Sequence, residues 1–84
     1  LLDALTVGAT IEDVDIKDLL EALNQTENTD LIELFELLQC GSRNHMRAFT
    51  SQIKNRGGAY TPQYISQELY DEILNGGHES CNGH

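Results

Sequence analysis

The sequence contains few basic residues and no long apolar run, and each shortage excludes a class of protein. Among its 84 residues, 5 lysines and arginines stand against 14 aspartates and glutamates, so the formal net charge is −9 at pH 7. This negative field repels phosphate backbones and anionic lipid surfaces, so we expect no nucleic-acid or membrane-surface partner. No apolar segment approaches the roughly 20 residues of a membrane-spanning helix, so no membrane span is expected.

Cysteine is also scarce. The two cysteines, Cys40 and Cys81, are too few for a disulfide-based scaffold. Cys40 falls in a helical pattern and Cys81 in a loose C-terminal stretch, so we expect two free thiols rather than a bridge. Because the chain begins without methionine, we expect a fragment or a processed chain, and nothing in the sequence indicates a compartment.

The alternation typical of strands is missing as well, and the apolar residues follow helical spacings instead. A first apolar stripe, with intervals of three, four and seven residues, predicts a helix over about residues 3–24. The polar stretch NQTENTD that follows predicts a loop. A second stripe predicts a helix over about residues 30–56, with Asp30 and Glu33 as a capping box at its start.

A third, shorter helix is predicted near the C-terminus. Ser66 is placed to cap it, and it should cover about residues 67–75 before two glycines end it. We therefore expect residues 1–75 to form the helical domain and residues 76–84 to form a flexible tail. Three tyrosines are expected to anchor the end of the domain with buried rings and hydroxyls in water: Tyr60, Tyr64 and Tyr70.

The sequence thus predicts an all-α fold, a long antiparallel helical hairpin with a short C-terminal helix. Two helices leave much of each apolar stripe exposed, and burial at about 25 cal/mol per Å² is the main term that opposes chain entropy. We therefore expect two more helices to cover the stripes in a four-helix bundle. These helices would come from a second copy, in a homodimer, or from a missing N-terminal helix pair.

One carboxylate, Glu12, falls inside the first apolar stripe. Counting residues away from the loop in an antiparallel hairpin places Glu12 opposite Ser42, with His45 one helical turn further. An ionised carboxylate is costly to bury without a partner or a metal. We therefore expect Glu12 and His45 to meet, either as metal ligands or as a metal-free polar pair. Ser42 and Asn44 are candidates for supporting contacts, and Arg43 should pair with a surface acid.

The other acids of the first helix are expected to face water. Asp13, Asp15 and Asp18 resemble part of a calcium-binding loop. The pattern fails because Lys17 takes a ligand position and Asp18 replaces the required glycine. We therefore interpret the three aspartates as a solvated helix face.

Three blocks of sequence, GATIEDVDIKDLLEAL, GSRNHMRAF and YTPQYISQELYDEIL, resemble the C-terminal half of an uncharacterised ferritin-like domain family of bacteria and archaea. The resemblance covers nearly all of residues 4–75. It implies half of a ferritin-like four-helix bundle, with this chain supplying the third and fourth helices and the terminal segment. It also implies that Glu12 and His45 match a carboxylate and a histidine of a ferritin-like metal centre.

One difference from the ferritin-like pattern affects the metal. That pattern has Glu-x-x-His on the last helix, whereas Ser42 stands three residues before His45. A homodimer would offer two copies of Glu12 and two of His45, which suits a single zinc or other transition ion such as iron. The hypothesis is a ferritin-like, transition-metal-binding module, and the alternative is a metal-free dimerisation or interaction module. No catalytic residue is identified, so enzyme activity is left open.

Overall fold

Three α-helices account for most of the chain. The computed structural model describes residues 1–81, where the helices are α1 (Leu2–Gln25), α2 (Thr29–Asn55) and α3 (Gln67–Gly76), with no strand. The all-helical prediction is confirmed, and each predicted helix end lies within one residue of the observed end. No helix in this part of the chain is long and apolar enough to cross a membrane.

α1 and α2 pack antiparallel around a loop of residues 26–28. α2 is capped by Asn28, whose Oδ1 accepts a hydrogen bond from the Leu31 N–H at 3.1 Å. The predicted capping box of Asp30 and Glu33 is therefore wrong. The helix begins one residue earlier, and Asp30 falls in its first turn, where a carboxylate interacts favourably with the helix dipole.

The core lies at the end of the hairpin away from the loop, where residues 56–66 and α3 pack back against the hairpin. Its buried apolar residues come from all of these parts: Ala9, Ile16, Met46, Ile53, Tyr60, Ile65, Tyr70 and Ile73. Gly8 allows α1 and α2 to approach closely, because a Cβ there would lie 2.5 Å from Cε1 of Phe49. Ser66 caps α3 as predicted, accepting a hydrogen bond from the Leu69 N–H at 3.1 Å.

A single buried carboxylate fixes the segment that links α2 to α3. Asp13 is 0% exposed. It accepts four hydrogen bonds, one from the Tyr60 hydroxyl at 2.6 Å and three from the backbone N–H groups of Gln63, Tyr64 and Ile65 at 2.7, 3.2 and 2.8 Å. These donors compensate the desolvation of the carboxylate, which would otherwise be costly.

The expectation that all three aspartates of α1 face water is therefore wrong for Asp13. Asp15 and Asp18 are exposed, as expected. Asp13 lies four residues after Ala9 and three before Ile16, so it shares the buried face of α1 with these two residues. Its charge is compatible with that face because the linking segment supplies hydrogen-bond donors there.

Two of the three tyrosine hydroxyls are buried rather than in water, which corrects the prediction for Tyr60 and Tyr70. Tyr60 is 8% exposed and Tyr70 is 6% exposed, whereas Tyr64 is 49% exposed. The Tyr60 hydroxyl donates to Asp13, and the Tyr70 hydroxyl donates to the Tyr60 carbonyl oxygen at 3.3 Å. Burial, and then the hydrogen bond to Asp13, raise the pKa of Tyr60 to about 12.

The half of the hairpin next to the loop has no such cover from residues 1–81. Five leucines in this half are 38–47% exposed: Leu20, Leu31, Leu34, Leu37 and Leu38. We call these five residues the open leucine face. Their exposure agrees with the expectation that two helices alone cannot bury both apolar stripes.

One polar side chain on α2 is buried without compensation. Gln39 is 4% exposed, and its amide oxygen has no hydrogen-bond partner among residues 1–81. A buried acceptor without a donor costs about 1–3 kcal/mol. The unpaired amide oxygen of Gln39 therefore lowers the free energy of unfolding.

Replacing Asp13 by Asn is expected to lower the free energy of unfolding by about 3 kcal/mol or more. The side-chain NH₂ group of Asn would face backbone N–H groups that now donate to the carboxylate, and these groups would lose their acceptor. Urea unfolding followed by circular dichroism measures this loss. The exposed control Asp15→Asn should change the free energy by less than about 0.5 kcal/mol. A loss below about 1 kcal/mol for Asp13→Asn would mean that other contacts hold the linking segment.

Replacing Gln39 by Met is expected to raise the free energy of unfolding by about 1 kcal/mol, because an apolar side chain of similar length removes the unpaired acceptor. The same urea titration measures the gain. Gln25→Met, at an exposed position, is the matched control and should stay within about 0.5 kcal/mol of the wild type. A destabilised Gln39→Met variant would contradict the absence of a donor for this amide.

Candidate functional site

α1 and α2 bring together the two residues predicted as metal ligands. Glu12 and His45 face each other across the hairpin, with 3.5 Å between Glu12 Oε1 and His45 Nδ1. The Glu12 side chain is 12% exposed and that of His45 is 66% exposed. Counting residues from the loop therefore located both side chains at the same height, while their role as ligands stays a prediction.

Glu12 and His45 lie at one end of an open cavity of about 700 Å³ between α1 and α2. The cavity runs from this pair toward the loop. Four apolar residues line it on that side: Leu19, Ala22, Leu37 and Leu38. Three polar residues also line it: Asp15, Asp18 and Ser42. A helix packed over Leu37 and Leu38 would therefore also lie beside Glu12 and His45.

The donor set of this pair is half of what a metal site needs. A structural zinc ion takes four ligands, and residues 1–81 contain no group of three or more His, Cys, Asp and Glu side chains that could hold a metal ion. The spacing nevertheless fits. Two ligands of a tetrahedral ion at about 2.0–2.1 Å stand roughly 3.3 Å apart, close to the 3.5 Å between Glu12 Oε1 and His45 Nδ1.

Of the two residues predicted to support His45, one lies at the cavity and the other does not. Ser42 is 8% exposed and lines the cavity. Asn44 is engaged on another side of α2, where its Nδ2 donates to the Glu79 carbonyl oxygen at 2.8 Å and its Oδ1 accepts from Arg47 Nη1 at 2.8 Å. The Asn44 amide is therefore not placed to support His45.

The segment after α3 packs against α2. Glu79 accepts hydrogen bonds from Arg43 Nε at 2.7 Å, from Arg43 Nη2 at 2.8 Å and from Arg47 Nη2 at 2.6 Å. These hydrogen bonds lower the pKa of the Glu79 carboxyl to about 2. Arg43 pairs with an acid as expected. The flexibility expected of residues 76–84 stays a prediction. Residues 82–84 lie outside the described part of the chain.

A disulfide joins the same segment to α2. Cys40 and Cys81 are bonded, with 5.8 Å between their Cα atoms. The prediction of two free thiols is therefore wrong, and no free cysteine remains among the described residues. Spacing along the chain gave no sign of this bond, because Cys81 follows α3 in a stretch without any apolar pattern.

The contacts of Glu79 were also missed by the sequence analysis. A weak signal for them exists, since Arg43 and Arg47 stand four residues apart and so share one face of α2. Two guanidinium groups on one helix face can donate together to one carboxylate. The pattern does not tell which of the 14 acids is bound.

The chain is similar to proteins that have no described function. Residues 1–77 match the model of a family described as an uncharacterized protein domain, DUF2202. The uncharacterized protein MJ0754 of Methanocaldococcus jannaschii is 58% identical over 73 residues, which are 87% of this chain and 40% of that protein. A crystal structure of hypothetical protein MJ0754 from Methanococcus jannaschii DSM 2661 has a TM-score of 0.91 and 55% identity.

The solved structure agrees with the helical architecture over 93% of this chain, which corresponds to 45% of the solved chain. The present chain thus spans less than half the length of this relative. The family model, in contrast, matches almost the whole of the described helical region. The chain therefore belongs to the DUF2202 family of uncharacterized domains.

Proposed function

We propose that this chain is a helical module that packs against two further helices through its open leucine face and carries half of a transition-metal site, Glu12 and His45, at that interface. In this proposal the chain is half of a ferritin-like four-helix bundle, and the metal is iron or zinc. The rest of the bundle is a second copy of the chain or a further helix pair in a longer protein.

A contrast between two neighbouring carboxylates carries the proposal. Asp13 is buried and accepts four hydrogen bonds. Glu12 is nearly as buried, but its one polar contact within residues 1–81 is the 3.5 Å approach of His45. The Glu12 carboxylate therefore has few protein partners among these residues and faces the open cavity. A cation held between Glu12 and His45 would supply a further partner for it.

The chemistry of the donors supports a transition ion. An imidazole nitrogen and a carboxylate oxygen both bind zinc and iron in proteins. The 3.5 Å separation of the two atoms is close to the distance between adjacent ligands of a tetrahedral ion. Bound zinc would serve as a Lewis acid or a structural ion, and iron would add one-electron chemistry. No reaction is assigned.

The open leucine face supports the second half of the proposal. Two of its five leucines, Leu37 and Leu38, line the cavity that Glu12 and His45 also line. Covering them would bury apolar surface at about 25 cal/mol per Å². It would also bring donors from the covering helices to the incomplete site. A relative about twice as long has enough chain for such helices.

The second candidate is a metal-free interaction module. It is favoured by the 3.5 Å contact itself, since His45, when protonated, is already a counter-ion for Glu12. The absence of a third potential ligand among the described residues is consistent with this simpler arrangement. In this case the open leucine face recruits helices by burial alone, and Glu12 and His45 form a polar pair under them.

Metal content separates the two candidates. Protein purified without added metal or chelator and then dialysed is expected to retain a transition ion, and His45→Ala is expected to lose it. Native mass spectrometry measures both the ion and the number of chains. His78→Ala, at an exposed position after α3, is the matched control and should retain the ion. A metal-free dimer, or an equal metal content in His45→Ala, would contradict the metal proposal and leave the interaction module. A metal-free monomer would instead assign the missing helices to a further helix pair, and the metal measurement would then be made on the longer protein.

Assembly tests the open leucine face separately from the metal. Leu38 is 47% exposed, and Leu38→Asp is expected to abolish assembly because a carboxylate would be buried at the interface. Sedimentation equilibrium measures the loss. Leu74→Asp alters a leucine on α3 that is 38% exposed and outside this face, and it should assemble like the wild type. Normal assembly of Leu38→Asp would show that the open leucine face is not the interface.

A further inference from the structure

Three side chains on one side of α2 surround a single glutamate. Arg43 and Arg47 donate three hydrogen bonds to the Glu79 carboxylate, at 2.6–2.8 Å. Asn44 contacts the backbone of the same residue, donating to the Glu79 carbonyl oxygen at 2.8 Å and accepting from the Glu79 N–H at 2.9 Å. We call Arg43, Asn44 and Arg47 the glutamate site. It contacts both the side chain and the main chain of its occupant.

Contacts that do not involve Glu79 hold part of this site in place. Arg47 Nε donates to the Ile73 carbonyl oxygen in α3 at 2.7 Å, and Arg47 Nη1 donates to Asn44 Oδ1 at 2.8 Å. These two hydrogen bonds orient Arg47 and Asn44 from α2 and α3 alone. A site that is oriented before its occupant arrives binds with a smaller loss of side-chain entropy.

The occupant lies on a short segment that follows α3. Gly77 has a φ of +69°, a conformation that favours glycine, and it separates α3 from Glu79. The family match ends at residue 77, so the segment that carries Glu79 follows the matched domain. Besides the polar contacts, the bond between Cys40 and Cys81 holds this segment on α2.

We propose that Arg43, Asn44 and Arg47 form a docking site for a glutamate-containing peptide of a partner protein, that Glu79 fills the site within the chain, and that the Cys40–Cys81 disulfide keeps it filled. Reduction of the disulfide frees the segment and makes the site available. The contacts of Asn44 with the backbone N–H and carbonyl of Glu79 favour a peptide over a free inorganic anion, which would leave both of them unused.

The opening step is a thiol–disulfide exchange with a dithiol reductant. A thiolate of the reductant attacks the sulfur of Cys81, which is more exposed than Cys40, and the Cys40 sulfur leaves as a thiolate that takes up a proton. The second thiol of the reductant then attacks the mixed disulfide and releases Cys81. Two electrons pass from the dithiol to the protein, which gains two thiols, and the reductant becomes a disulfide.

The test uses the full chain and a labelled peptide of sequence Gly-Gly-His-Glu-Ser, which copies residues 76–80. Fluorescence anisotropy measures its binding to the oxidised protein, the reduced protein and the reduced Glu79→Gln variant. We expect no binding to the oxidised form and weak binding to the reduced form, where the tethered Glu79 still competes at an effective concentration of the order of millimolar. Reduced Glu79→Gln should bind about tenfold more tightly than reduced wild type, because it loses a charge-assisted competitor.

Two controls make the result specific. Arg43 contacts Glu79 and no other described residue through its side-chain hydrogen bonds, so adding Arg43→Gln should weaken peptide binding about tenfold without changing the fold. A peptide with Gln in place of Glu should bind about tenfold more weakly as well. Circular dichroism of each variant checks that the helices remain.

Four outcomes would overturn the proposal. They are equal peptide binding by oxidised and reduced protein, no peptide binding to reduced Glu79→Gln, equal binding of the Glu and Gln peptides, and equally effective competition by inorganic phosphate at the same concentration. The last outcome would describe a general anion site instead of a peptide site. None of these four outcomes depends on metal binding at Glu12 and His45, so this inference stands or fails independently of the proposed function.

Discussion

The rest of the structure depends on the carboxylate of Asp13. It belongs to α1, but all four of its hydrogen-bond donors lie in residues 60–65, about fifty positions along the chain. Those hydrogen bonds fix the segment that leads into α3, and α3 in turn supplies the Ile73 carbonyl oxygen that orients Arg47. Arg47 then binds Glu79. A single buried charge thus determines the position of the linking segment and, through it, of the C-terminal contacts.

The two ends of the hairpin differ because only one end has this cover among the described residues. Glu12 and Asp13 are consecutive, so they point in directions about 100° apart around α1. Asp13 points to the linking segment and accepts four hydrogen bonds there. Glu12 points to the open cavity, where its one polar partner among residues 1–81 is the exposed His45. The compensated carboxylate is structural. Glu12, which lacks such donors, lies beside the apolar surface that remains exposed. The proposed metal site and the proposed helix-packing surface are therefore adjacent.

How much the sequence predicts depends on the distance over which each feature is determined. Helix ends follow from local spacing and turn residues, and the meeting of Glu12 and His45 follows from the antiparallel register, so both were predictable. The burial of Asp13 was not, because its position between Ala9 and Ile16 indicates a buried face while its charge indicates water. The donors that resolve this conflict lie far along the chain. The disulfide could not be predicted for the same reason, since it joins two cysteines that are 41 residues apart in the sequence.

The net charge gives a physical reason why the glutamate site is filled from within the chain. The electrostatic field of a chain with a net charge of −9 attracts a cation toward the acids around Glu12. The same field repels a free acidic peptide that approaches Arg43 and Arg47. A tethered glutamate is not subject to this penalty on approach, because it is already held near the site at a high effective concentration. The chain can therefore keep an arginine pair neutralised by an acid of its own although its overall field opposes acidic ligands. Any external peptide must contribute contacts beyond the single carboxylate, and the backbone contacts made by Asn44 are of that kind.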